Sequence, residues 1–190
     1  KEFGVNAEYL IDHSWGKESC TIADIKAYKP KTNSITNSQV LFEDYSFIKA
    51  RLVLKEMVEV GSLRLIESNL VTDTVGLYIG YSKNTIKATG GTRKLTNYTD
   101  IYSELLKAFL EIYDKTTDTD IPIRRIGVNF ANVIEAESVQ LSLFIDQERI
   151  DEERKLELAM CSIKNKMGKN AIIRGMDLEE GATTIMRNKL

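Results

Sequence analysis

The chain has 190 residues, 28% of them charged and 43% hydrophobic, with a formal net charge of -2 at pH 7. That length supports one domain with a core of ordinary size, and the near-balanced charge excludes a chain that grips nucleic acid as a whole, so any such contact must come from a local patch. No apolar run reaches the roughly 20 residues needed to cross a bilayer, no signal peptide is visible at the start, and the distant Cys20 and Cys161 read as free thiols of a cytoplasmic protein.

Residues 1–20 are mixed in character and end in HSWGKESC. Residues 21–33 read as a linker, with Pro30 amid Lys, Thr, Asn and Ser, leading into an extended SITNSQVLF over 34–42. Over 46–68, Phe47, Ala50, Leu54, Met57, Val58, Gly61 and Leu65 recur at helical spacing, with Ser46 or Asp44 as cap. Gly61 costs helix propensity, yet on that face it would let a sheet approach closely. Residues 74–81, TVGLYIGY, alternate: Val75, Leu77, Ile79 and Tyr81 point one way, Gly76, Tyr78 and Gly80 the other.

SKN then turns the chain into a second strand, TIKAT at 85–89, and GGTRKLTNYT at 90–99 reads as a loop. Thr99 is a good cap for a helix over 100–114 with Ile101, Leu105, Phe109 and Ile112 buried. After a turn at 118–122, residues 123–131 form a strand with Ile126, Val128 and Phe130 on one face and Arg125, Gly127 and Asn129 on the other. Beyond 150, Leu156, Ala159, Met160, Ile163 and Met167 mark a further helix, NAIIRG at 170–175 reads as a short strand, and the remainder as a tail.

The order β-α-β-β-α-β predicts an α+β fold, a four-stranded sheet with two helices on one face and an α/β C-terminal extension. The second sheet face is left open, carrying Gly76, Gly80, Gly127, Asn129 and Arg125 with Lys87 nearby. Small, polar and cationic residues there leave little to pack, which is the character of a docking surface.

Catalytic constellations are missing from the pattern. His13 is the single histidine, so no triad or histidine-based metal site can form around it. GKES at 16–19 and MGKN at 167–170 lack the phosphate-loop spacing. The acidic runs Glu43/Asp44, Asp151/Glu152/Glu153 and Glu179/Glu180 read as solvated faces or favourable first helical turns.

The stretches KTNSITNSQVLFEDY, TVGLYIGYSKN, TRKLTNYTDIY and IPIRRIGVNF, in this order around a long helix, resemble the little-finger (polymerase-associated) domain of Y-family translesion DNA polymerases. The likeness is to the UmuC/ImpB/MucB-like branch of Gram-positive bacteria. RRIGV at 124–128 is the most specific word, HSWG at 13–16 resembles the end of the thumb domain, and MGKNAIIRG and GATTIMRN resemble the branch's C-terminal extension. The resemblance implies an end of thumb at 1–20, a linker at 21–33, a little finger at 34–137, a clamp-binding segment at 138–150 and an extension at 151–190. It also implies that the open sheet contacts the backbone of primer–template duplex. Arg124, Arg125, Lys87, Arg93, Ser34, Asn37 and Ser38 are the expected contact residues. Where many family members have Ser-Arg-Ser-Arg-Thr-Leu, residues 89–95 read TGGTRKL, so Arg93 matches one arginine and glycine replaces the other. Magnesium would belong to the polymerase palm, outside this chain, with no cofactor held here.

Gln140, Leu141, Ser142, Leu143 and Phe144 match the Gln-Leu-Ser/Asp-Leu-Phe peptide by which bacterial polymerases hold the β sliding clamp. Leu143 and Phe144 would fill an apolar pocket, and Gln140 would supply an oriented amide. The alternative is a further edge strand packed locally. Two other readings of the chain stay open: a protein-interaction module docking a RecA-type filament or an accessory subunit through 151–190, and a small single-strand nucleic-acid binder using the open sheet.

Overall fold

A computed structural model describes residues 7–28, 33–82, 86–138 and 147–189. The chain divides into two compact units, Lys1–Thr32 and Asn33–Leu190.

The first unit holds two short helices, α1 (Ala7–Ser14) and α2 (Ile22–Ala27). The expected linker at 21–33 thus contains a helix, started by a capping box. Thr21 Oγ1 accepts from the Asp24 amide at 3.2 Å, and the Asp24 carboxylate accepts from the Thr21 amide at 2.9 Å.

The second unit runs β1 (Ile35–Tyr45), α3 (Phe47–Glu67), β2 (Leu70–Tyr81), β3 (Thr89–Thr99), α4 (Tyr102–Thr116), β4 (Ile123–Ala131), β5 (Ile134–Glu135), α5 (Gln147–Met167) and α6 (Thr184–Arg187). The sheet order is β1-β4-β2-β3, antiparallel throughout, with β5 paired to the start of β2. Alternation on β2 and β4 sends Val75, Leu77, Ile79, Ile126, Val128 and Phe130 into one core with α3 and α4. Ser46 caps α3, its hydroxyl accepting from the Lys49 amide at 3.4 Å. Gly61 works as its position predicts: a Cβ there would stand 2.1 Å from Cε2 of Phe130, so α3 lies against the sheet at a distance only glycine permits. Arg51 clamps α3 to α4 through two 2.9 Å bonds to Asp114.

Three sequence expectations are corrected. GGTRKLTNYT is not a loop but most of β3, whose register with β2 breaks between Thr72 and Thr74, so that Lys94 and Thr99 flank a bulge. Thr99 does not cap α4; Ile101 occupies the cap position, and the Thr99 hydroxyl accepts from the Ile101 amide at 3.2 Å. NAIIRG forms no strand; it leads into a 3-10 turn, Gly175–Leu178, where the Asp177 carboxylate accepts from the Arg174 amide at 2.8 Å.

The C-terminal helix also turns a different face inward. Ile150, Glu157, Met160 and Cys161 are buried, whereas Leu156 is 56% and Met167 75% exposed. The reason is polar. α3 is buried nearly all round, and its second face carries Glu56, Glu59 and Ser62. Opposite them Arg174 lies 3.5 Å from both Glu59 and Glu157, with its guanidinium 4.2 Å from the centre of the Tyr102 ring. Arg154 reaches the buried Asp100 at 2.5 Å. Burial pushes the carboxyls of Glu59 and Asp100 above their usual range, and burial followed by the charge of Glu153 raises Glu157 to about 7. No helix among the described residues is long and apolar enough to cross a membrane.

Candidate nucleic-acid interface

Since α3 and α4 both lie on one side of the sheet, the opposite side of β1, β4, β2 and β3 has no layer over it among the described residues. A shallow trough of about 490 Å³ runs across it. Gly76, Gly127 and Gly91 floor the trough, and Thr36, Ser38, Thr92, Asn129, Tyr78 and Arg125 edge it. A Cβ at Gly80 would come within 3.2 Å of the Arg125 Cβ and 3.3 Å of the Tyr78 ring, so that glycine keeps the arginine and the ring in place.

Arg125 stands at one end of the trough. Its backbone pairs with Val40 on one side and Gly80 on the other. Its Nε donates to Ser38 Oγ at 3.0 Å, and its guanidinium carbon lies 5.7 Å from the centre of the Tyr78 ring. Its two terminal nitrogens have no hydrogen-bond partner among the described residues. The fork is therefore oriented by the sheet while its bidentate end faces solvent, the geometry suited to a phosphate. Farther along the trough Thr36 Oγ1 donates to Asn129 Oδ1 at 2.8 Å, fixing the amide at its edge.

The structure sorts the expected contact residues. Arg125 and Ser38 lie on the open face and touch each other. Ser34 is exposed just before β1, and Lys87 is exposed just before β3. Asn37 sits on the helix-covered side, because it alternates with the exposed Thr36 and Ser38. Arg93 also lies away from the open face: it pairs across from Val75 and forms an ion pair with Glu111 of α4. Arg124 is the extra residue of a bulge, since Gly80 pairs with Arg125 while Tyr81 pairs with Ile123. Released from the alternation, it lies 3.6 Å from Asp44. Gln140, Leu141, Ser142, Leu143 and Phe144 lie outside the described residues.

Sequence reasoning missed Thr36, Thr92 and Lys94 as contact candidates. Thr36 was readable by alternation from Ser38. Thr92 and Lys94, opposite Gly76 and Thr74 on the open side, were hidden by the loop reading of β3. Lys94 is 77% exposed and lies 3.6 Å from Asp73.

Residues 32–143 match the C-terminal domain of the impB/mucB/samB family. A Bacillus subtilis protein named for UV-damage repair, UvrX, is 31% identical over 98% of this chain and 44% of its own length. A DNA polymerase IV 2 of Halalkalibacterium halodurans is 32% identical over 92% of this chain and 42% of its own. The chain thus spans less than half the length of these relatives. Among solved structures, a complex of the beta-clamp processivity factor with the little finger domain of PolIV is similar at 12% identity, over 60% of this chain and all of that one, with a TM-score of 0.43. A post-insertion binary complex of Dbh DNA polymerase is similar at 16% identity over 68% of this chain and 36% of that one, with a TM-score of 0.42.

Proposed function

The chain belongs to the impB/mucB/samB family, related to the C-terminal regions of Y-family DNA polymerases, and from that premise we propose that its open sheet face binds the sugar-phosphate backbone of primer–template DNA in translesion repair synthesis. The observation that carries this reading is Arg125, tethered at Nε by Ser38 and backed by Tyr78, with its bidentate end directed out of a glycine-floored trough. Lys94 and the hydroxyls of Thr36 and Thr92 extend the same polar surface.

Contact is with backbone and not with stacked bases. A single-strand binder of this strand order offers free aromatic faces on its sheet, whereas Tyr78 already lies beneath a guanidinium and its neighbours in the trough are glycines. Recruitment to the replication site is assigned to Gln140–Phe144 as a β sliding clamp ligand, on the strength of their motif and of their place after the last little-finger strand. Nucleotidyl transfer in the whole polymerase would use magnesium. Among the described residues no group of three or more His, Cys, Asp or Glu side chains could hold a metal ion, so no step of that chemistry is assigned to them.

The test is fluorescence anisotropy of a labelled primer–template duplex over a range of salt concentrations. Arg125→Ala should weaken binding about equally for all sequences and reduce the magnitude of the salt slope by about 0.9. An unchanged slope, or tighter binding to a single strand of equal length, would refute duplex-backbone contact.

A further inference from the structure

A second cavity, of about 460 Å³, lies in the helix layer between α3, α5 and α6, away from the open sheet face. Four cations line it: Arg64 of α3, Lys164 of α5, Lys169, and Arg187 of α6. Each of its two carboxylates is engaged through one oxygen. Glu67 accepts from Asn165 Nδ2 at 2.5 Å, and Glu59 lies 3.5 Å from Arg174. The cations are not matched in the same way. Arg64 and Lys169 form no ion pair among the described residues, and Lys164 reaches only the carbonyl of Lys169, at 3.4 Å.

The buried polar atoms around this cavity show the same imbalance. Arg187 donates through Nη1 to Gln39 Oε1 at 2.9 Å, but its Nη2 is buried without a partner. Thr184 is 4% exposed and its Oγ1 is likewise unpaired, whereas the unpaired Oε1 of Glu59 is an acceptor that an anion does not satisfy. Buried polar groups in folded proteins are paired in the great majority of cases. Two unpaired donors, Arg187 Nη2 and Thr184 Oγ1, on residues lining a cavity with four cations mark a place where an anionic ligand completes the bonding.

We propose that this cavity binds a small polyvalent oxyanion of the phosphate class, held by Arg64, Lys164 and Arg187 with Thr184. Guanidinium and ammonium groups from separate elements converge on it, which is how multiply charged phosphates are held. Because α6 supplies Arg187 and Thr184, the ligand fastens the C-terminal helix to α3 and α5. Occupancy therefore stabilises the extension by mass action.

Inorganic pyrophosphate is the probe, titrated into the whole chain by calorimetry and followed by thermal melting. Saturable binding is expected, with Kd below about 1 mM, together with a rise in Tm and slower amide exchange at Arg187. Arg64→Gln with Lys164→Gln should weaken binding at least about tenfold while melting normally without pyrophosphate. Lys169→Gln, which removes another lining cation, should also weaken binding, by less than the double variant. Displacement by a 5′-phosphorylated dinucleotide would identify an esterified phosphate as the natural source; failure to displace would identify free polyphosphate. Absence of saturable binding, or wild-type binding by the double variant, would overturn the proposal.

Discussion

Replacing Glu56 by alanine removes the acceptor of four hydrogen bonds at once. The side chain is fully buried on α3, and its two oxygens accept from the Thr183 amide at 2.9 and 3.0 Å, from Thr183 Oγ1 at 2.7 Å and from the Thr184 amide at 2.9 Å. A carboxylate thus takes the orphan donors at the start of α6, where a negative charge is also favoured by the helix ends. Hydrogen bonds to charged groups contribute roughly 1.5–3 kcal/mol each, but the sum overstates the loss, because the freed donors regain water if α6 lifts away. Leaving a buried donor unsatisfied costs about 1–3 kcal/mol, so with two amides and one hydroxyl freed and partly rehydrated the expected loss of docking free energy for the tail is about 3–5 kcal/mol. Native-state hydrogen exchange reads it at the Arg187 and Asn188 amides, which donate to Thr183 and Thr184 carbonyls at 2.9 and 3.0 Å. Their protection should fall on the order of a hundredfold or more, while core amides such as that of Phe130 change far less. Unchanged exchange at Arg187 and Asn188 in a folded variant would refute the anchoring role.

Gly61→Ala should lower stability by about 1–2 kcal/mol in a urea melt, since overpacking against Phe130 outweighs the helix propensity gained; a stabilised variant would show that the sheet can retreat. The Glu157 carboxyl, raised to about 7 by burial and by Glu153 against an ordinary value of 4.5, contributes stability that is complete below 4.5 and lost as pH rises through 7. Glu157→Gln should therefore remove about 3 kcal/mol of that pH dependence, visible as a flatter Tm-versus-pH curve; an unaltered curve would place the titration elsewhere. Leu143→Ala with Phe144→Ala should weaken clamp binding by about 3–5 kcal/mol, from burial of two apolar anchors, without moving Tm; a large drop in Tm with clamp affinity intact would mean a core strand instead.

Much of the fold was legible because its signals are local and apolar. Alternation over 74–81 and 123–131 identified the two central strands, and the 3.6-residue stripe identified α3 and α4, including the glycine that lets α3 approach Phe130. β3 escaped because it is an edge strand. TGGTRKLTNYT has no buried apolar alternation, and its pairing with β2 is made by backbone groups that any sequence possesses. The inward face of α5 escaped for the opposite reason: it is buried through charge. A hydrophobic count cannot find Glu157, Glu56 or Glu59, since only the fold brings Arg174, Ser62 and Thr183 to them.

The candidate interface shows where a word of sequence and a place in space part company. RRIG carries adjacent arginines, and alternation alone would put one on each face. The bulge at Arg124 breaks that rule: Ile123 and Ile126 both enter the core, so Arg124 is left beside Asp44 and Arg125 alone occupies the trough. Arg93 fails for a related reason, because its side of β3 is decided by register with Val75 and so leads to Glu111. Both are tied by ion pairs that a partly exposed setting makes weak, of the order of 0–1 kcal/mol. An arriving phosphate could compete for either, but only Arg125 is already oriented by a neutral partner and costs no ion pair to engage. On the proposed reading the energetic centre of the face is one arginine and its glycine floor, not the basic word from which it was read.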